Sequence, residues 1–113
     1  MPTISDRPAL GELEQVVMLA TLRVGDDAYG VTIQSAIRKA TGRDLTMGTI
    51  HKTLVRLEAK GMIASSMGES SPVRGGRAKR FYKVSPVGLR TLRASISALR
   101  RLAAGLAVGL ERA

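Results

Sequence analysis

The sequence predicts a mainly α-helical fold with one small β-hairpin, and three observations carry that prediction. Apolar residues recur at helical spacing in three segments between residues 10 and 61, each closed by a glycine. Two short alternating stretches, MIASSMG at 62–68 and KRFYKV at 79–84, flank a Gly/Pro/Ser-rich loop. The chain then ends in a leucine series spaced for a helix with a partnered face. At 113 residues this is one domain with a modest core, which needs a partner or a second copy to be comfortably stable. Apolar residues make up 44% and aromatics only 3%, with no Trp, so aliphatic side chains must fill the interior.

The first helix places Leu10, Leu13, Val17, Ala20 and Val24 on one face after Pro8, and Gly25 ends it. Glu12 and Glu14 lie in its first turn, where negative charge suits the helix dipole. Its middle, VVML, is apolar nearly all the way round and is expected to be buried on two sides, against its own domain and against something else. A second helix runs from about Tyr29, with Tyr29, Ile33, Ala36, Ile37 and Ala40 inward and Gly42 as its stop. Asp26 and Asp27, in the turn before it, read as helix caps rather than a catalytic pair.

The third helix is capped by Thr46, buries Met47, Ile50, Leu54 and Leu57, and stops at Gly61. The opposite face carries Thr49, Lys52, Thr53, Arg56 and Lys60, with no carboxylate among them. Lys and Arg suit phosphates and guanine edges, and Thr is short enough to let a helix approach a groove closely. Any surface helix shows a polar outer face, so the neighbouring elements must decide its meaning.

Those neighbours are basic. In SPVRGGRAKRFYKV, residues 71–84, the cations Arg74, Arg77, Lys79, Arg80 and Lys83 surround Gly75 and Gly76, which let the backbone lie close to a sugar-phosphate ridge. Met62, Ala64 and Ser66 alternate with Ile63, Ser65 and Met67, and Phe81 and Tyr82 face opposite ways, one into the core and one at its rim. Three helices and a basic hairpin make a winged helix-turn-helix, whose recognition helix enters a major groove while the hairpin, or wing, touches the flanking backbone.

The expected division is a winged helix-turn-helix DNA-binding domain at 1–84 and a C-terminal dimerisation helix at 85–113. Ser85 and Pro86 open that helix, and Leu89, Leu92, Ile96, Leu99, Ala103, Leu106 and Leu110 follow at alternating spacings of 3 and 4. Such a seam is expected to pair with Leu13 and Val17 of the first helix and with the same helix of a second copy, giving a homodimer. Folding of the seam onto its own domain is the competing arrangement. Gly105 and Gly109 form a GxxxG in a stretch too brief for a membrane span and are expected to fray the end.

Charge and residue types exclude other classes. The net charge is +9, and residues 62–113 hold ten Lys/Arg against two carboxylates, which implies a polyanionic partner. With no Cys, a longest apolar run at 16–22 and an acidic N-terminal stretch, the chain reads as soluble, unprocessed and cytoplasmic. His51 is the one histidine and has no assured orienting carboxylate, so no nucleophile-and-base pair, metal site or cofactor is expected, and no enzyme. An RNA- or ribosome-binding winged helix and a protein-interaction module remain as alternatives.

LGELEQVVMLATL, GDDAYGVTI, TIHKTLVRLEAKGMI and GGRAKRFYKVSPVG together resemble the PadR-type transcriptional regulators over about residues 10–92. The resemblance implies a bacterial winged-helix repressor, dimeric on a palindromic double-stranded DNA operator and in some cases released by a small hydrophobic effector. By position, it implies that Thr49, Lys52, Thr53 and Arg56 face the groove, that Arg77, Lys79 and Arg80 form the wing, and that Tyr29 is the tyrosine opening the second helix. His51 departs from the pattern, standing where the family usually has a Tyr near the DNA backbone.

Overall fold

The first four helices begin where a side chain bonds an exposed backbone amide, and the first three stop at a glycine. The structure, a computed structural model, describes residues 10–68 and 79–112. Helix α1 spans Glu12–Val24, α2 Gly30–Thr41 and α3 Met47–Ala59, followed by strands β1 (Ile63–Met67) and β2 (Arg80–Val84), then α4 (Pro86–Ala103) and α5 (Ala107–Arg112). The wing-tip residues Arg74, Gly75, Gly76 and Arg77 lie outside the described residues. Among those described, no helix is long and apolar enough to cross a membrane.

The expected stops at Gly25, Gly42 and Gly61 are in place, and all three take the positive φ that ends a helix. Thr46 Oγ1 accepts from the Thr49 amide at 3.1 Å, which opens α3. Ser85 Oγ accepts from the Gly88 amide and donates to the Gly61 carbonyl, so one hydroxyl starts α4 and anchors it to the end of α3. The α2 cap differs from expectation. Tyr29 is the capping residue, its amide donating to Thr32 Oγ1, and Asp27 contributes its main-chain carbonyl to the same hydroxyl rather than its carboxylate.

The core joins α1 (Val17, Met18, Ala20), α2 (Ile33, Ile37), α3 (Ile50, Leu54, Leu57), the hairpin (Met62, Ile63, Tyr82) and Leu92 of α4 around Ala28. Burial of these aliphatic groups is the main stabilising term. Strands β1 and β2 pair antiparallel, Ile63 opposite Val84 and Ser65 opposite Tyr82. The Tyr82 amide donates to the Ala28 carbonyl at 2.9 Å, so the turn before α2 extends the sheet by one bond and ties the hairpin to the helices. Tyr82 is buried and Phe81 sits at the rim, which is the split the alternation predicts.

One ion pair crosses this core. The carboxylate of Glu14 is buried, its Oε1 accepts from the Gly11 amide at 2.7 Å, and the Lys60 ammonium lies 2.8 Å from both its oxygens. Burial alone would raise its pKa, but the Lys60 hydrogen bond, the Gly11 amide and the Lys60 charge outweigh it and hold the pKa below the ordinary value. A lowered folded pKa stabilises fully above the range of an unfolded Glu, and that contribution fades as pH falls through the folded value. Because Lys60 keeps partial contact with water, Glu14→Gln is expected to cost about 1–3 kcal/mol at pH 7. Urea midpoints at pH 7 and pH 3 check this: the native chain should lose stability between them by more than the Gln variant does, and equal losses would rule out the pair as the source.

The C-terminal segment departs from the expected unbroken seam. Helix α4 ends at Ala103, Ala104 is extended, and Gly105 turns the chain at φ 80° before α5. Val17 and Leu92, expected at the subunit interface, are buried in the chain's own core, because α1 turns its Val17–Met18 face and α4 its Leu92 toward the other helices. The outward apolar residues are Leu19 and Leu22 of α1 with Leu89 and Leu99 of α4, and beyond these Leu102, Leu106 and Leu110.

Candidate nucleic-acid interface

The buried face of α3 is turned slightly from the one read in the sequence. Thr53 is only 2% exposed, whereas Met47 is 41% exposed. The Thr53 hydroxyl donates to the Thr49 carbonyl at 2.8 Å, so its one polar atom is satisfied within the helix and the residue packs as a small apolar group. Thr53 is therefore no groove-facing residue. Lys60 also leaves the outer face, bending back to Glu14 on α1. α3 exposes Met47, Gly48, His51, Lys52, Val55, Arg56, Glu58 and Ala59, with Thr49 half-buried at the border.

Two cations of the hairpin are held beside this face. Lys79 Nζ lies 4.4 Å from the centre of the Tyr29 ring and 3.3 Å from its hydroxyl oxygen. The Tyr29 ring is in turn edge-on to Phe81, with centroids 5.7 Å apart and planes at 75°. The rigid Tyr29–Phe81 pair thus gives a flexible lysine a fixed seat. Arg80 Nη1 donates to Ser65 Oγ at 2.9 Å, and Ser65 donates to Glu58 Oε2 at 2.7 Å, so the root of the wing is tied to α3 through a serine. Between these elements lies a cleft of about 190 Å³ whose lining includes Tyr29, Met47, His51, Lys79 and Arg80. His51 is exposed at its edge rather than packed into the core.

The electrostatics follow from where the carboxylates are used. Arg43 pairs with Glu12 at 2.9 Å, Arg38 with Asp44 and Lys60 with Glu14, so three carboxylates of the first half are taken up in ion pairs, while Glu58 on α3 accepts from Ser65. Lys52, Arg56, Lys79 and Arg80 form no ion pair among the described residues. Such a surface attracts a polyanion and meets it with side chains able to reach phosphates and base edges. Of the sequence-assigned residues, the fold brings Tyr29, His51, Lys79 and Arg80 to one cleft, keeps Lys52 and Arg56 on the adjoining exposed face, and withdraws Thr53 and Lys60. The aromatic seat for Lys79 and the Glu58–Ser65–Arg80 relay were not read from the sequence; they depend on a strand register that local pattern does not supply.

A second surface lies between α1 and α4, a groove of about 330 Å³ lined by Leu19, Leu22, Leu89, Leu92, Arg93, Ile96, Ser97 and Arg100. Ile96 is half-buried, and Ser95 Oγ donates to Gln15 Oε1 at 2.9 Å, which fixes α4 against α1. The remaining interface residues expected from the sequence divide: Leu13 and Ala103 are half-buried, while Leu89, Leu99 and Leu106 are exposed.

Residues 18–94 match the family model described as the transcriptional regulator PadR-like family. No curated protein matches the chain in sequence. Among solved structures, a PadR family transcription regulator from Clostridium difficile is 25% identical, with a TM-score of 0.68 over 86% of this chain and 97% of that one. A PadR family transcriptional regulator from Eggerthella lenta is 26% identical, with a TM-score of 0.66 over 88% of this chain and 87% of that one. The Bacillus subtilis PadR in complex with operator DNA shares the fold at 20% identity and a TM-score of 0.61, over 75% of this chain and 48% of that one.

Proposed function

Because the chain belongs to the PadR-like family of transcriptional regulators, we propose that it is a cytoplasmic repressor that binds a specific double-stranded DNA operator as a homodimer. The observation that carries this reading is the pairing of exposed Lys52 and Arg56 on α3 with Lys79 and Arg80 seated at the root of the hairpin. In this reading α3 enters the major groove, where Lys52 and Arg56 meet base edges, and the wing neutralises flanking phosphates. Each phosphate neutralised adds about 0.9 to the salt dependence of binding. The operator-bound state of the Bacillus subtilis relative supports duplex DNA over RNA or a protein partner.

The dimer rests on the uncovered leucines. Leu19, Leu22 and Leu89 line one groove, and Leu99 and Leu102, exposed further along α4, continue the apolar series, the kind of surface that a partner covers. A second copy placed over it by two-fold symmetry sets two α3 helices about one turn of DNA apart. Release by a small hydrophobic effector is part of the proposal, with the aliphatic groove between α1 and α4 as its seat.

Two substitutions separate the roles, measured by fluorescence anisotropy on the region upstream of the gene and on random duplexes across a salt series. Arg56→Ala is expected to weaken operator binding by about 1–3 kcal/mol and relax base preference. Lys79→Ala should weaken both duplexes alike and lower the salt slope by about 1. Equal effects of the two variants on operator and random DNA would contradict the division of roles.

A further inference from the structure

Three glycines lie inside helices α2 to α4, and two of them have close neighbours where a side chain would go, backbone atoms at Gly88 and the movable end of Met47 at Gly30. A Cβ on Gly30 would stand 2.5 Å from Met47 Cε, and one on Gly88 would stand 2.0 Å from the Met62 carbonyl oxygen. Gly48 is different. Its φ is not positive, and the nearest atom to an added Cβ is Thr46 Oγ1 at 3.9 Å, an ordinary contact with open space beyond. A glycine within a helix costs stability relative to alanine, through the backbone freedom it loses on folding. Nothing among the described residues offsets that cost at Gly48. The residue is exposed, and it lies one turn before Lys52 on the same side of α3.

We infer that Gly48 is a positioning residue for DNA: its missing side chain lets α3 seat deeply enough for Lys52 and Arg56 to reach base edges. This rests on the reading of α3 as the groove-entering helix and adds a residue that neither charge nor hydrogen-bonding capacity would single out. A methyl group at this position holds the helix off by about 1.5 Å, the length of one carbon–carbon bond. Base-edge hydrogen bonds are lost over that distance, since they need donor and acceptor within about 3.2 Å. Phosphate contacts survive, because long cationic side chains follow a charge and need no fixed geometry. The signature is thus a loss of discrimination with little loss of general DNA affinity.

Gly48→Ala and Gly48→Val test this, with thermal denaturation of each protein beside its affinity for two duplexes. One duplex is the sequence the native chain enriches from a randomised library; the other is a scrambled version. Gly48→Ala is expected to melt at or above the native temperature, to lose roughly tenfold on the enriched duplex and to change little on the scrambled one. Gly48→Val should lose more on the enriched duplex. Native affinity of Gly48→Ala for the enriched duplex would overturn the inference, as would a lowered melting temperature, which would mean that the fold itself needs the glycine. Failure of the native chain to enrich any duplex would instead remove the DNA-binding reading, and this inference with it.

Discussion

Gly88→Ala is expected to destabilise the chain by about 3 kcal/mol or more, the largest effect of any single added methyl group at a described glycine. The Cβ would be driven to 2.0 Å from the Met62 carbonyl oxygen and 2.8 Å from its carbon, and both are backbone atoms that cannot rotate away. The Met62 carbonyl already accepts from the Ser85 amide at 3.0 Å, and Ser85 caps α4 while bonding the end of α3. Relief therefore requires α4 to move off the hairpin as a whole. In a domain of this size the thermal midpoint should fall by at least ~10 °C. A differential scanning trace within a couple of degrees of native would show that α4 does not bear on the Met62 backbone as described.

The second large effect concerns assembly rather than folding. Leu99 is 57% exposed on α4, outside the core, so Leu99→Glu should leave the fold of one chain intact. In the proposed dimer the same residue lies under the partner, where an unpaired carboxylate costs several kcal/mol. The variant is expected to be monomeric with native helix content. Because the second recognition helix would then bind without the gain from tethering, operator affinity should drop by about 10² or more. Random-sequence binding should drop far less, since phosphate contacts need no two-fold spacing. A Leu99→Glu protein that remained dimeric and bound operator normally would place the interface elsewhere.

These two sites also show what the sequence could and could not reveal. The helix ends were legible because Gly25, Gly42 and Gly61, with Thr46 and Ser85 as caps, act through backbone geometry within a few residues of themselves. The order of three helices and a hairpin, and the opposed facing of Phe81 and Tyr82, followed from periodicity alone, while the structure decides that Tyr82 is the buried one. Thr53 was misplaced because it lies at the edge of the apolar stripe, and a threonine there can bury its methyl while returning its hydroxyl to the preceding turn. Lys60 was misplaced because its partner, Glu14, lies on a different helix, and pairing across elements leaves no local trace. Val17 and Leu92 satisfied a heptad as well as they satisfy a core; the spacing of leucines says that a face is covered, not by which chain. Gly88 carried a signal, a glycine just inside a capped helix, but its meaning depends on Met62, twenty-six residues away. The turn at Gly105 was read as a frayed end, whereas the chain forms a defined break and a further short helix.

The proposed DNA-binding surface was legible to the extent that it is a matter of charge. Lys52, Arg56, Lys79 and Arg80 could be put forward from a helix face and a basic hairpin. Their arrangement could not: the seat that Tyr29 and Phe81 make for Lys79 exists only once β2 is in register and bonded to Ala28. The outer face of α3 likewise became clear only with Thr53 buried, and that is what exposes Gly48.

The central claim is that two copies, joined through α1 and α4, present two α3 helices to one duplex. Light scattering on the native chain mixed with its enriched duplex tests it most directly, because it counts chains per DNA. The account predicts a dimer in free solution and two chains per duplex that persist when salt removes random-sequence binding. One chain per duplex at saturation, or a monomer with no complex, would contradict it.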